Sequence, residues 1–248
     1  MLLQSTLDIP APLDYILVVS GRAKRLSLRV EPGRGVIVTI PRRFPKRDVP
    51  AFVERHRDWV ESVMLDIVAK TPEHYRQWPP RNLYLKSMDR QIDILYLSEQ
   101  RPDFDICADS AGVVTTLAIT ANPDDKASVA TEIARFLAKL AKQLLPPRLA
   151  QLAAKHALAY SRVQIRGQRT VWGSYSTSGT LSLNYKLLFL SAELVDYVLL
   201  HELAHTLCMD HSPVFWKHLE VLQSGAKALD GQLSESGREV PPWLELAR

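Results

Sequence analysis

The sequence predicts an α+β protein in two parts. Residues 1–121 form a mainly β N-terminal subdomain with one long helix, and residues 122–248 form a helical C-terminal domain with a small β-sheet. Three observations lead there. Short runs rich in β-branched residues, separated by Gly and Pro turns, fill the first half. Apolar residues at helical spacing fill the second. The change falls at Asn122-Pro123-Asp124-Asp125, a stretch that favours turns and helix starts.

Each element has its own signal. Residues 15–20, 25–30 and 36–40 read as strands, with Pro32-Gly33 and Gly35 turning the chain between the last two. Residues 25–30 alternate polar and apolar, as a half-buried strand does. One helix is expected over about 47–70, capped by Asp48, with Phe52, Val53, His56, Trp59, Val60, Val63 and Ile67 on a single stripe. His56 on that stripe reads as a core or capping histidine. Pro72, Pro79 and Pro80 then interrupt the chain, and further strands are expected at 91–97, 104–107 and 113–119. A helix over about 127–145 should stop at Pro146-Pro147, with a second reaching about 159. Two strands follow, at 162–166 and 170–176, and Ser178-Gly179 turns into a third at 180–184. Ser191-Ala192-Glu193 supplies a cap and an early acid for the next helix. The tail from about Gly225 is polar and ends in Pro241-Pro242-Trp243, which suggests a loosely packed extension.

Composition narrows the class. A chain of 248 residues with 46% hydrophobic and 23% charged residues can bury a substantial core, in one large or two small domains. Two cysteines, Cys107 and Cys208, are too few for a disulfide framework and suit a reducing compartment. Residues 1–12 lack a basic segment and a long apolar core, and no run approaches a membrane span, so a cytoplasmic protein without a membrane partner is expected. The net charge of +4 is unevenly placed: residues 21–60 hold eleven Lys or Arg against four acids. That excess is either a solvated face or a surface for nucleic acid, nucleotide phosphates or an acidic protein. No interleaved aromatics offer a base-stacking platform there.

The chemistry concentrates in His201-Glu202-Leu203-Ala204-His205, with His211 six residues further on. Histidines at i and i+4 share one helix face, so both imidazoles can reach one metal ion. The preceding run, Val195 to Leu200, is apolar apart from Asp196, and polar groups on such a buried helix need partners. Ser212-Pro213 is a helix-start signature, so the chain leaves one helix, presents His211 and begins another through Phe215-Trp216. Three protein ligands leave an open coordination position, the catalytic arrangement for Zn²⁺. Glu220, His218 and Cys208 compete with His211 for the third place. Asp196 and Asp210 are candidates to orient the ligand histidines, and Tyr175 and Tyr185 to stabilise an oxyanion.

Together with Arg169-Thr170-Val171-Trp172-Gly173-Ser174 and Leu181-Ser182-Leu183-Asn184, these residues make the stretch from Arg166 to Trp216 resemble the YgjP-like zinc metallopeptidases, relatives of the SprT-like and WLM zincins. A weaker match lies at Pro41 and from Val53 to Trp59. One departure stands out: the family has Cys after Trp-Gly-Ser, and this chain has Tyr175. The resemblance implies a zincin-like C-terminal domain, His201, His205 and His211 as metal ligands, and Glu202 as the catalytic residue. It places Trp172, Gly173 and Ser174 beside the cleft, where the strand edge would bind an extended peptide; Arg166 and Arg169, as basic residues near the metal, are further candidate substrate-binding residues.

The function expected is therefore that of a zinc metallopeptidase acting on protein or peptide through a zinc-activated water, with Glu202 as general base. Two rivals remain. Arginines beside a metal suit a nucleotide pyrophosphatase, and the basic segment 21–60 suits a protease guided to DNA.

Overall fold

The computed structural model describes residues 12–97, 105–108 and 112–247. The N-terminal targeting reading falls on residues 1–12, nearly all of which lie outside the described residues, as does Phe104 at the start of one expected strand. The fold is mixed α+β with three small mixed sheets, as the sequence predicts.

The chain divides into two compact units, Met1–Lys70 and Thr71–Arg248. In the first, strands β1 (Tyr15–Ser20), β2 (Ser27–Glu31) and β3 (Gly35–Pro41) pair in the order β1-β3-β2. β1 runs parallel to β3, and β2 antiparallel. Gly33 and Gly35 take positive φ values of 75° and 78°, which makes the tight β2–β3 turn accessible without Cβ strain. Val38 and Ile40 of the central strand pack with Val49 and Val53.

The single helix expected over 47–70 is two, α1 (Val49–Arg55) and α2 (Arg57–Lys70). His56 breaks it. Its N–H bonds to the Val53 carbonyl at 3.0 Å, and its Nδ1 donates to the Phe52 carbonyl at 2.8 Å. The imidazole thus satisfies the acceptor that the backbone amide would have used, and the helix can end there. The expected stripe is only partly buried: Val53 and Val60 are, whereas Trp59 and His56 are exposed.

In the second unit, β4 (Asn82–Leu85), β5 (Arg90–Tyr96), β6 (Asp105–Ala108) and β7 (Val114–Ile119) form a sheet ordered β4-β5-β7-β6. Its Leu83, Ile92, Leu117 and Ile119 share one core with Ile133, Phe136 and Leu137 of α3 (Lys126–Lys155). That shared core places the division between units before this sheet, at residues 70 and 71. The pattern change at 122 marks where strands give way to helix inside one unit.

α3 runs for 30 residues straight through Pro146 and Pro147, where the sequence predicts a stop. The two prolines lack the N–H groups that would reach the carbonyls of Lys142 and Gln143, both exposed residues whose carbonyls water can serve. On the opposite face, Ala141, Leu145, Leu149 and Leu152 are buried, and that packing outweighs the local cost.

A third sheet holds β8 (Arg162–Arg166), β9 (Gly173–Tyr175) and β10 (Thr180–Asn184) in the order β8-β10-β9. β10 is parallel to β8 and antiparallel to β9, which leaves β9 at an edge. Three helices follow: α4 (Ala192–Ala204), α5 (Pro213–Leu222) and α6 (Ala226–Glu235). The tail is not the loose extension that its polarity suggests. Trp243 and Leu244 are buried against α3, and Trp243 meets Trp78 edge-on at 6.0 Å. Few but large apolar side chains anchor it. Among the described residues no helix is long and apolar enough to cross a membrane.

Candidate metal centre

α4 starts as its sequence dictates. Ser191 caps it, its hydroxyl accepting the Leu194 amide at 3.3 Å, with Glu193 in the first turn. Leu194, Val195, Val198, Leu199, Leu200 and Leu203 are buried, so the helix runs through the core and packs along β9. His201 and His205 lie one turn apart at its C-terminal end. A compact turn then returns the chain. The Leu207 and Cys208 amides bond to the Ala204 carbonyl at 3.0 and 3.1 Å. The Asp210 carboxylate accepts Cys208 Sγ at 3.1 Å and the Ser212 amide at 3.2 Å, and these bonds hold its pKa below the usual carboxylate range. α5 begins at Pro213 after Ser212, as the sequence predicts.

That turn brings His211 back over the helix end. The donor nitrogens of His201, His205 and His211 all lie within 4.8 Å of one another, and Nε2 of His201 is 3.0 Å from Nε2 of His211. Two nitrogens on one tetrahedral zinc would stand about 3.4 Å apart, so the spacing suits a shared cation. His205 Nδ1 donates to the Cys208 carbonyl at 3.1 Å, which leaves Nε2 as its free donor atom. Burial first, then the neighbouring imidazoles, pushes the His201 pKa down to about 4, and burial lowers that of His205. Both rings are therefore neutral near pH 7, the form that binds metal.

Phe215 lies beneath the trio. Fully buried, it stacks on His205 at 4.7 Å and meets His201 and His211 edge-on at 5.0 and 4.8 Å. Its position four residues after His211 is legible in the sequence, but its role as a common floor is not. Tyr197, one turn before His201, meets that ring at 5.9 Å and donates to Asp230 Oδ1 at 3.1 Å. Asp230 lies near enough to affect the charge of His201, and no sequence signal marks it.

Glu202 is 5% exposed, and its Oε2 has no hydrogen-bond partner among the described residues. Desolvation pushes its pKa up to about 8. Gly173 presses against it: a Cβ there would lie 2.6 Å from Glu202 Oε1 and 2.8 Å from Cγ. Only a residue without a side chain lets β9 approach the carboxyl so closely.

A cavity of about 470 Å³ opens over this cluster, lined by the three histidines, Glu202 and the segment from Thr170 to Tyr175. Trp172, Gly173 and Ser174 therefore join the cluster, and Tyr175 does too. Arg166 and Arg169 stand outside that cavity. Arg166 donates to Gln164 Oε1 at 2.6 Å, and Arg169 lines an adjoining cavity beyond Trp172, 3.8 Å from Glu245. Tyr185 is buried in the core, its pKa pushed up to about 12 by desolvation. Asp196 pairs with Arg148 at 2.7 Å and Asp210 builds the turn, so neither bonds to a histidine. Asn184, 2% exposed, donates to the carbonyls of Gln168 and Val171 at 2.7 and 2.9 Å. It pins the loop that walls the cavity.

The family described as YgjP-like, metallopeptidase domain, matches residues 24–236. No curated protein matches the chain. Two solved structures resemble part of it. One is the metallopeptidase zymogen of Pyrococcus abyssi abylysin, at 27% identity, covering 36% of this chain and 91% of that one, with a TM-score of 0.34. The other is the metallopeptidase zymogen of Methanocaldococcus jannaschii jannalysin, at 21% identity, covering 39% and 97%, with a TM-score of 0.34.

Proposed function

This chain belongs to the YgjP-like metallopeptidase family, and from that premise we propose that it is a zinc peptidase of the His-Glu-x-x-His type. His201, His205 and His211 hold Zn²⁺, and Glu202 is the general base. The observation that carries the reading is the convergence of three imidazole nitrogens beside a buried, unpartnered carboxyl. Bound there, zinc would polarise a carbonyl, acidify a water to a pKa near 7 and favour the ionised form of Glu202.

The chain's own residues do the rest. Glu202 takes a proton from the attacking water and delivers it to the departing amine. The Gly173 backbone fixes where that carboxyl stands. The outer edge of β9 offers its amides and carbonyls to an extended peptide, with Trp172 and Ser174 on either side of the contact. The residues lining the cavity over the histidines include no Lys or Arg, which favours a neutral peptide over a phosphoanhydride.

The test is a substrate comparison on the zinc-loaded chain. Unfolded polypeptide should be cut, a chelator should stop the reaction and added zinc should restore it. Phosphate release from nucleoside triphosphates, with the polypeptide left intact, would overturn the reading. A second expectation concerns Gly173→Ala. The added methyl must displace Glu202 or the strand, and a displacement near 1 Å costs about 100-fold in turnover. Zinc content should not change, because the three atoms nearest an added Cβ all belong to Glu202 rather than to a histidine. Normal turnover by this variant would remove Gly173 from the positioning role.

A further inference from the structure

The basic excess of residues 21–60 is not spread over the first unit. β1 and β3 are parallel, with Ser20 paired to Pro41, so both strands end at the same side of the sheet. β2 begins there too, with Ser27 opposite Thr39. The β1–β2 loop and the segment after β3 therefore share one pole. Arg22, Lys24 and Arg25 stand on the loop, and Arg42, Arg43 and Lys46 on the segment, all six exposed. The two stretches touch: a Cβ at Gly21 would lie 3.3 Å from Arg42 Nε.

None of the six side chains has an ion pair or a hydrogen bond among the described residues. At the other end of the sheet the cations are paired and their charge is partly offset, since Glu31 pairs with Arg29 at 2.8 Å and with Arg34 at 2.7 Å. Three strands spaced about 4.8 Å apart make a pole roughly 10 Å wide. Crowding six like charges onto it repels and adds nothing to folding.

We propose that this pole is a binding surface for the phosphate backbone of duplex nucleic acid. Counting both strands, duplex DNA carries one charge per ~1.7 Å of axis, so about six phosphates, roughly three on each strand, fall within such a width, matching the six free cations in number. Four of the six are Arg, whose planar fork takes two phosphate oxygens at once. The large apolar side chains of the two stretches, Leu26 and Phe44, pack on the unit's own core, so neither a base-stacking platform nor a wedge for lipid is presented. Binding is therefore to backbone, without sequence preference.

The test is anisotropy of a labelled 20-base-pair duplex titrated with the full chain from 50 to 200 mM salt. The logarithm of the binding constant should fall against log salt with a slope of about −5, close to 0.9 per phosphate contacted. Arg42→Gln/Arg43→Gln/Lys46→Gln should weaken binding at least tenfold and flatten the slope by about 3. The same should hold for Arg22→Glu/Lys24→Glu/Arg25→Glu. Lys142→Gln/Lys155→Gln/Arg162→Gln, elsewhere on the chain, should leave the slope alone. Circular dichroism checks that each variant is folded. The proposal is overturned by absence of binding at 50 mM salt, by an unchanged slope in either pole variant, or by equal binding to anionic phosphatidylserine vesicles or polyglutamate.

Discussion

Glu202→Gln should bind zinc like the parent chain and lose hydrolysis by about 10²- to 10⁴-fold, the usual worth of a positioned general base. The reason is chemical: the amide keeps the shape and the contact with Gly173 but cannot take a proton. The same variant should change how stability depends on pH in the zinc-free chain. The unfolded chain ionises Glu202 near 4.5, whereas the folded chain keeps it protonated to about 8. An acid raised in this way favours the folded state fully below pH 4.5, and loses that contribution as pH climbs through 8. Gln has nothing to lose. A tenfold difference in proton affinity between the folded and unfolded chains corresponds to about 1.4 kcal/mol, so the variant should be more stable than the parent by a few kcal/mol at pH 9 and close to it at pH 4. Denaturant titrations with a chelator present, at both pH values, measure this. Parallel behaviour across the range would mean that burial does not hold the proton on Glu202, and unaltered turnover would exclude it as the base.

His211→Ala should cost more than any supporting contact of the metal. Removing a hydrogen bond that merely orients a ligand weakens affinity about 10- to 100-fold, and losing the ligand should exceed that. No neighbour can replace it. Glu220 is committed to the start of α6, accepting the Gly225 and Ala226 amides at 2.8 and 3.0 Å. Cys208 Sγ is held by the Asp210 carboxylate at 3.1 Å, and His218 lies outside the histidine cluster. Competition against a chromogenic chelator gives the affinity. Glu220→Gln is the control: it should weaken the α6 cap by about 1 kcal/mol and leave zinc affinity as it was. An equal loss in the two variants would point to Glu220 as the third donor.

Around the histidine cluster much of the fold was legible, although the strand expected over 170–176 is confined to Gly173–Tyr175. Residues 162–166 and 180–184 are strands over those spans, α4 begins after Ser191, whose hydroxyl caps it, and α5 begins at Pro213. Their signals are local. Two misreadings came where distant packing overrode local preference, whereas the split of the helix expected over 47–70 follows from the local bond of His56 to the Phe52 carbonyl. Pro146-Pro147 breaks an isolated helix, yet a buried apolar face carries α3 through. A polar tail reads as loose, yet Trp243 seats it against α3.

The candidate site divides the same way. Spacing by itself determined that His201 and His205 share a face and that His211 returns after a turn, because helix pitch and capping act over a few residues. Only the tertiary structure decided that Phe215 lies under all three rings, that Gly173 bears on Glu202, and that Arg166 and Arg169 stand outside the cavity. Those contacts join residues far apart in the chain, and the high pKa of Glu202 follows from the water they exclude.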